Sequence, residues 1–141
     1  MGQFNRRKYY NPNIQIEAMK SNYPQFKAEK KGNEIEFVGT LDVKPEFPTY
    51  TVSITYRGAN NPRVKILSPK LVEKPPHFYH STKSLCLYLE KNFKWRKEKL
   101  IAKEIVAWTS GWIYFYEVWL ETGEWYGPEA EHDDNLTKQD D

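Results

Sequence analysis

The chain has 141 residues, the usual size of one domain that buries its own core. A mean hydropathy of −0.82 excludes a membrane-embedded protein, and 16% aromatic residues are too many for a disordered chain. The net charge of +2 hides an asymmetry, because residues 1–120 carry +9 and the remainder is acidic. We therefore predict a single domain over residues 1–132, followed by a disordered acidic tail over residues 133–141.

The first predicted element is a short helix from Pro12 to about Asn22. Asn11 and Pro12 form a typical helix start, and Pro24 ends the helix. The residues expected to face the body of the protein are Ile14, Ala18 and Met19.

Four strands joined by short turns follow, which predicts an antiparallel meander with one buried face. They cover residues 25–30, 34–43, 50–57 and 63–66. A turn at Lys31-Gly32-Asn33 joins the first two strands, and a longer turn over residues 58–62 joins the last two. The side chains of the buried parity are Ile35, Phe37, Leu41 and Val43, then Tyr50, Val52, Ile54 and Tyr56, then Val64 and Ile66.

After Pro69 the periodicity gives way to a long irregular connection, and long loops in compact domains tend to be functional. Helical spacing then predicts two helices, over residues 97–108 and 112–122, separated by Thr109-Ser110-Gly111 and ended by Gly123. Their apolar stripes are Leu100, Ile101, Ile105 and Trp108, and then Ile113, Tyr116, Trp119 and Leu120. The tryptophans expected to pack in the core are Trp95, Trp108, Trp112, Trp119 and Trp125.

Cys86 is the only cysteine, so the chain cannot form an internal disulfide, and the reducing cytoplasm is its expected location. A lone thiol with histidines close upstream can act as a nucleophile. A cysteine between two leucines is also commonly a small, buried and inert apolar residue. From these residues alone, both interpretations stay open.

Two short segments favour the first interpretation. They are Pro62-Arg63-Val64, and Leu85-Cys86-Leu87-Tyr88-Leu89 with Trp95 nine residues after the cysteine. Together with the order helix, four strands, long connection, cysteine and helices, they resemble the ubiquitin-conjugating (E2) domain over residues 10–125. The C-terminal half is more similar to bacterial E2-like proteins of antiphage operons of the CBASS type. The residues of that closer resemblance are His77, Tyr79, Ala107, Trp108, Trp112, Tyr116, Glu117, Trp119, residues 122–125, Gly127, Pro128, Glu129 and His132.

The resemblance implies an α+β, E2-like fold with a long active-site loop and aromatic-rich C-terminal helices. It implies that Cys86 forms a thioester with a protein C-terminus and passes it to an amine or thiol. The residues from 76 to 80 lack the asparagine that eukaryotic E2 enzymes carry before the cysteine. His77 is the first choice for ordering the loop or supporting the oxyanion. The accessory candidates are Tyr79, His80 and His132.

The implied cargo is either a ubiquitin-like protein or a cyclic-oligonucleotide synthase, which is delivered by an E1-like adenylating protein or handled by the E2-like protein alone. Two alternatives remain open: a catalytically silent E2-fold scaffold, and a nucleic-acid-binding domain that uses the basic and aromatic residues 6–10. Neither a cofactor nor a metal is expected. His77, His80, Cys86 and His132 lack the second cysteine or the paired histidines of a zinc site.

Overall fold

The structure, a computed structural model, describes residues 12–128, and within them an α+β fold. The acidic tail, His132 and the basic residues 6–10 lie outside the described residues. The elements are α1 (Pro12–Asn22), β1 (Lys27–Lys31), β2 (Glu34–Leu41), β3 (Tyr50–Arg57), β4 (Asn60–Ser68), β5 (Phe78–Tyr79), β6 (Ser84–Leu85), a π-helical segment (Ile101–Ile105) and α2 (Val106–Thr122).

Helix α1 has the predicted bounds but buries different side chains from those predicted. Met19 is buried as expected, whereas Ile14 is only half-buried and its neighbour Gln15 is buried. Burial of this amide is possible because both of its ends are hydrogen-bonded. Gln15 Nε2 donates to the Lys99 carbonyl oxygen at 2.7 Å, and Gln15 Oε1 accepts from the Ile101 N–H at 2.9 Å. Helix α1 is thereby tied to the beginning of the π-helical segment.

The four-stranded antiparallel sheet is confirmed, in the order β1-β2-β3-β4. The predicted parity holds in β2 and β3, where Phe37, Val52 and Ile54 are completely buried. Two predicted core residues differ, because Val43 lies beyond the end of β2 and Ile66 of β4 is only half-buried. Strand β4 is longer than predicted, because Arg57 pairs with Asn60 and the turn contains only Gly58 and Ala59. Strand β1 is exposed along its whole length, and its three lysines are typical of a sheet edge protected against pairing with another chain.

The connection over residues 69–100 contains a two-stranded ribbon that the sequence pattern did not predict. In this ribbon Phe78 pairs with Leu85 and Tyr79 pairs with Ser84. Strands of two residues are too short to produce a visible alternation of polar and apolar side chains. The ribbon matters because Cys86 follows β6 directly.

The prediction of two C-terminal helices is wrong, because α2 runs without interruption through Thr109, Ser110 and Gly111. Thr109 is completely buried, and its hydroxyl donates to the Ile105 carbonyl oxygen at 2.8 Å. A glycine inside a helix costs only about 1 kcal/mol, which tertiary packing readily offsets. Gly123 ends the helix as predicted, with φ of 80° and its N–H on the Trp119 carbonyl oxygen.

The aromatic side chains of α2 divide between the core and the surface. Trp112 and Tyr116 are buried in the core, Trp119 is half-buried at its edge, and Leu120 is 46% exposed, contrary to the predicted stripe. Trp108 is also half-buried, and its ring lies against the rings of Tyr88 and Phe93. Within residues 12–128, no helix combines the length and apolarity needed to cross a membrane.

Candidate active site

Cys86 is tied to α2 through a single backbone oxygen. The carbonyl oxygen of His77 accepts the N–H of Cys86 at 2.9 Å and the indole Nε1–H of Trp112 at 3.0 Å. Both donors therefore meet at one atom, so the backbone N–H of Cys86 lies close to the indole of Trp112. The Cys86 side chain is 6% exposed, and its Sγ lies 4.0 Å from the Tyr88 carbonyl oxygen.

His77 has a left-handed backbone conformation, with φ of 50°. This conformation is uncommon for a residue with a Cβ atom, and such conformations occur preferentially at functional sites. The imidazole ring stacks on the indole of Trp125, with ring centroids 4.7 Å apart and planes 24° from parallel. The carbonyl oxygen of His77 is thus hydrogen-bonded to the Cys86 backbone, and the imidazole ring of His77 contacts the segment that follows α2.

The segment after α2 lies close against the Phe115 side chain of the helix at Gly127. A Cβ atom at Gly127 would lie 2.6 Å from Cδ2 of Phe115, so only glycine allows this approach. Trp125 is consequently packed against Phe115 and Trp112, at centroid distances of 5.8 and 6.1 Å. This arrangement builds one wall of a groove beside Cys86.

The apolar groove has a volume of about 440 Å³ and lies between the Cys86 segment, α2 and the segment after it. Its floor and walls include Lys103, Glu104, Ala107, Trp108, Gly111, Trp112 and Phe115 from the helical elements. Cys86, Leu87, Trp125 and Pro128 complete it. Because aromatic and aliphatic surfaces dominate this lining, the groove suits a ligand with apolar character next to the candidate nucleophile.

A second, polar cleft of about 610 Å³ lies along the ribbon and the β3–β4 turn. Tyr79 and Ser84 line this cleft, and Leu87 lines both the cleft and the groove. The remaining lining residues are Arg57, Asn60, Asn61, Pro62, Arg63, Thr82, Leu85, Tyr88, Leu89 and Glu90. Of the predicted site residues, the structure therefore assigns Cys86 to the groove and Tyr79 to the cleft.

The chain just after Cys86 is held by a short hydrogen-bonded relay. Tyr88 donates its hydroxyl proton to Asn61 Oδ1 at 2.8 Å, and Asn61 Nδ2 donates to Glu90 Oε2 at 3.1 Å. Burial raises the pKa of Tyr88, and the nearby Glu90 carboxylate raises this pKa further, so the phenol remains a neutral donor. Asn61 was not among the predicted site residues, because its position in a turn gave it an ordinary structural role.

The remaining candidates are less closely associated with Cys86. His80 is exposed on the turn of the ribbon, where its ring packs edge-on against Phe78 at 5.2 Å. His132 lies outside the described residues. Within the described part of the chain, no three histidine, cysteine or carboxylate side chains form a possible metal site.

Two comparisons bear on the family of this chain. No curated protein matches it. A family model described as "Type II CBASS E2 protein" matches residues 15–133, which is most of the chain and includes the sheet, the connection, Cys86 and α2. The chain therefore belongs to the Type II CBASS E2 protein family.

Proposed function

We propose that this protein is an E2-like acyl transferase that carries the C-terminus of another protein as a thioester on Cys86. The observation that carries the proposal is that Cys86, in a chain of the CBASS E2 family, lines an apolar groove of about 440 Å³. A nucleophilic cysteine needs such a cavity, because the acyl group must approach its sulfur in a defined orientation.

The reaction has two steps. In the first, the Cys86 thiolate attacks the activated carbonyl carbon of the donor, a C–S bond forms, and adenylate or the thiolate of an E1-like protein leaves. In the second, an amine or thiol attacks the thioester carbonyl, the C–S bond breaks, and Cys86 leaves as the thiolate. An attacking amine gives up its proton to solvent or to a nearby base.

The backbone amide of Cys86 donates to the His77 carbonyl oxygen, so this amide contributes to loop geometry. We propose that His77 is the positioning residue of the loop and that its imidazole supports the developing oxyanion. Tyr79 lines the polar cleft on the flank of the ribbon and is the next candidate for ordering the loop or supporting the oxyanion. His80, on the turn of the ribbon, and His132 are further accessory candidates.

In this proposal the donor is a ubiquitin-like protein or a cyclic-oligonucleotide synthase, and an E1-like protein supplies the activated carboxyl group. Antiphage defence is the biological setting that membership of the CBASS family suggests. The reaction belongs in the reducing cytoplasm, where a cysteine thiol is maintained without oxidation.

The test is to incubate the protein with the donor, the E1-like protein and ATP, and to follow the adduct by denaturing electrophoresis. The adduct should be cleaved by thiol reductants and should not form with Cys86→Ala. Cys86→Ser should form a slower, reductant-resistant oxyester. An adduct that persists in Cys86→Ala contradicts the assignment of the nucleophile. Absence of any adduct with the wild-type protein favours the silent scaffold, a role that the 6% exposure of Cys86 would suit.

A further inference from the structure

The polar cleft beside the ribbon has an excess of positive charge. Its charged side chains are Arg57 of β3, Arg63 of β4 and Glu90 of the connection. The other polar side chains of the lining carry amide or hydroxyl groups, namely those of Asn60, Asn61, Tyr79, Thr82, Ser84 and Tyr88. Because a guanidinium group stays charged at physiological pH, the cleft attracts anions.

Arg57 and Glu90 are both bonded to Asn61. Arg57 Nη1 donates to the Asn61 backbone oxygen at 2.8 Å, and Glu90 Oε2 accepts from Asn61 Nδ2 at 3.1 Å. Arg57 thereby uses one of its five N–H donors, and an amide rather than an arginine binds the Glu90 carboxylate. Among the described residues, no salt bridge neutralises either guanidinium group of the cleft.

Arg63 is the side chain of the cleft with the strongest requirement for a ligand. It lies half-buried on β4, opposite Thr55 of β3. Within residues 12–128, its guanidinium has no hydrogen-bond or salt-bridge partner. A charged group that loses part of its hydration costs free energy unless another group replaces the lost water. A carboxylate bound in the cleft would replace this water, because its two oxygens match the planar fork of arginine.

The cleft is adjacent to the candidate nucleophile. Leu87, the residue after Cys86, lines both the cleft and the apolar groove. Tyr88 also lines the cleft, and its carbonyl oxygen lies 4.0 Å from Cys86 Sγ. The cleft volume of about 610 Å³ is in the usual range of ligand sites. A polypeptide segment bound in this cleft therefore has its neighbouring residues close to the sulfur.

We propose that the polar cleft binds an acidic segment of the acceptor protein, next to the amine that attacks the thioester on Cys86. The acidic side chains bind Arg63 and Arg57, and Glu90 attracts the ammonium form of the acceptor amine. This inference rests on the proposed thioester function, because only a transferase needs an acceptor beside Cys86. It adds a substrate class to that function, namely lysine residues flanked by glutamate or aspartate.

Binding is measured first, on the wild-type protein without an acyl donor. Two peptides carry a neutral fluorophore and differ only in charge. One has a lysine followed by two glutamates, and the other has a lysine followed by two glutamines. Fluorescence anisotropy gives their dissociation constants. We expect the glutamate peptide to bind about tenfold more tightly, and this preference to decrease as added salt screens the charges.

Arg63→Gln removes the guanidinium group and should abolish most of this preference. Lys65→Gln is the matched control, because Lys65 is an exposed residue of the same strand that does not line the cleft. It loses the same charge and should bind the glutamate peptide like the wild type. Arg63→Lys keeps the charge without the planar fork and should have intermediate affinity. Thermal melting of each variant verifies that it is folded at the assay temperature.

Transfer is measured next, on protein whose Cys86 carries an acetyl group. The thiolate attacks the acetyl thioester of mercaptoethanesulfonate, a C–S bond forms, and mercaptoethanesulfonate leaves as a thiolate. After this reagent is removed, the lysine amine of a peptide attacks the acetyl carbonyl. A C–N bond forms, Cys86 leaves as the thiolate, and the amine proton passes to the buffer. Below saturation, the glutamate peptide should be acetylated about tenfold faster than the glutamine peptide, and Arg63→Gln should make the two rates equal.

The outcomes separate this inference from the proposed function. Equal binding of the two peptides by the wild type overturns the acidic-segment site, and so does equal weakening by Arg63→Gln and Lys65→Gln. A single-stranded oligonucleotide that binds more tightly than the glutamate peptide, and that loses affinity in Arg63→Gln, assigns the cleft to phosphate and also overturns the proposal. Selective binding with equal transfer rates overturns the placement of the acceptor. Selective binding without any acetylation of Cys86 overturns the thioester function and the acceptor role, while the cleft remains an anion site.

Discussion

The four-stranded sheet and the connection over residues 69–100 are ordered by different kinds of interaction. The sheet is a ladder of repeated backbone hydrogen bonds with one buried face. The connection is attached to its surroundings at separate points, and several of these are bonds between one side chain and one backbone group. These bonds run from Trp95 Nε1 to the Gly58 oxygen at 2.9 Å, from Trp112 Nε1 to the His77 oxygen at 3.0 Å, and from the Val72 N–H to the Tyr116 hydroxyl at 2.9 Å.

This difference predicts that the parts of the connection outside the core can change locally while the sheet remains folded; Leu85 and Trp95 of the connection are buried in the same core as the sheet. Regions held by few buried contacts open with less free energy than core strands do. A segment that carries a nucleophile, and that must admit a protein C-terminus, benefits from such independence. Substitutions in the sheet should therefore change the free energy of unfolding, and substitutions at the attachment points of the connection should change the reaction at Cys86.

The largest expected effect on stability is that of Phe37→Ala in the centre of the sheet. Phe37 is completely buried, and removing its ring should leave a cavity that lowers the free energy of unfolding by about 3–5 kcal/mol. Urea denaturation measures this loss. Acylation of Cys86 by the acetyl thioester of mercaptoethanesulfonate, normalised to the folded fraction, should be unchanged. A slower normalised rate would show that the sheet and the connection are coupled.

Substitutions of His77 should slow the reaction at Cys86 with little loss of stability. His77→Gly keeps the left-handed backbone without strain and removes the ring that stacks on Trp125. We expect a rate about 10- to 1000-fold lower, the range for losing one oxyanion donor or proton carrier. His77→Asn is the matched variant, since asparagine tolerates the same backbone conformation and retains a hydrogen-bond donor. It should recover most of the rate.

Two outcomes would contradict this role of His77. If His77→Gly lowers the melting temperature while the acylation rate per folded molecule stays at the wild-type value, the ring has only a structural role. If His77→Asn is as slow as His77→Gly, hydrogen-bond donation by the side chain is not what the ring contributes.

The sheet could be predicted from the sequence, because its physical cause is local and periodic. Alternation of apolar and polar residues in β2 and β3 reports directly which side chains face the core. The connection could not be predicted in the same way, since its contacts join residues far apart in sequence. The bond between Trp112 and His77 spans 35 positions, and the one between Gln15 and Lys99 spans 84.

The candidate site shows the same limit. Cys86 and His77 could be chosen from their chemistry and from a family resemblance, but the groove beside Cys86 depends on a helix that was predicted to break. Gly111 suggests a helix break when only local propensity is considered. In the structure the Thr109 hydroxyl donates a hydrogen bond to the Ile105 carbonyl oxygen within the helical region. Helix α2 continues through Gly111, whose backbone lines the groove.

The smallest expected effect on stability comes from removing one attachment point while preserving an aromatic ring. Trp112→Phe loses the indole N–H that donates to the His77 oxygen, which still accepts the Cys86 N–H at 2.9 Å. One hydrogen bond of this kind contributes about 1 kcal/mol. Trp95→Phe is the matched control, because Trp95 is also a buried tryptophan whose indole donates to a backbone oxygen.

We expect both variants to lose similar stability, and only Trp112→Phe to acylate Cys86 more slowly, by a factor of about ten. The reason is that the bond of Trp112 holds the loop that positions Cys86, whereas the bond of Trp95 holds the β3–β4 turn. Urea denaturation and the rate of Cys86 acylation by the acetyl thioester of mercaptoethanesulfonate measure the two effects on the same samples. Equal slowing in Trp95→Phe and Trp112→Phe would mean that the reaction depends on the order of the whole connection rather than on the His77 carbonyl.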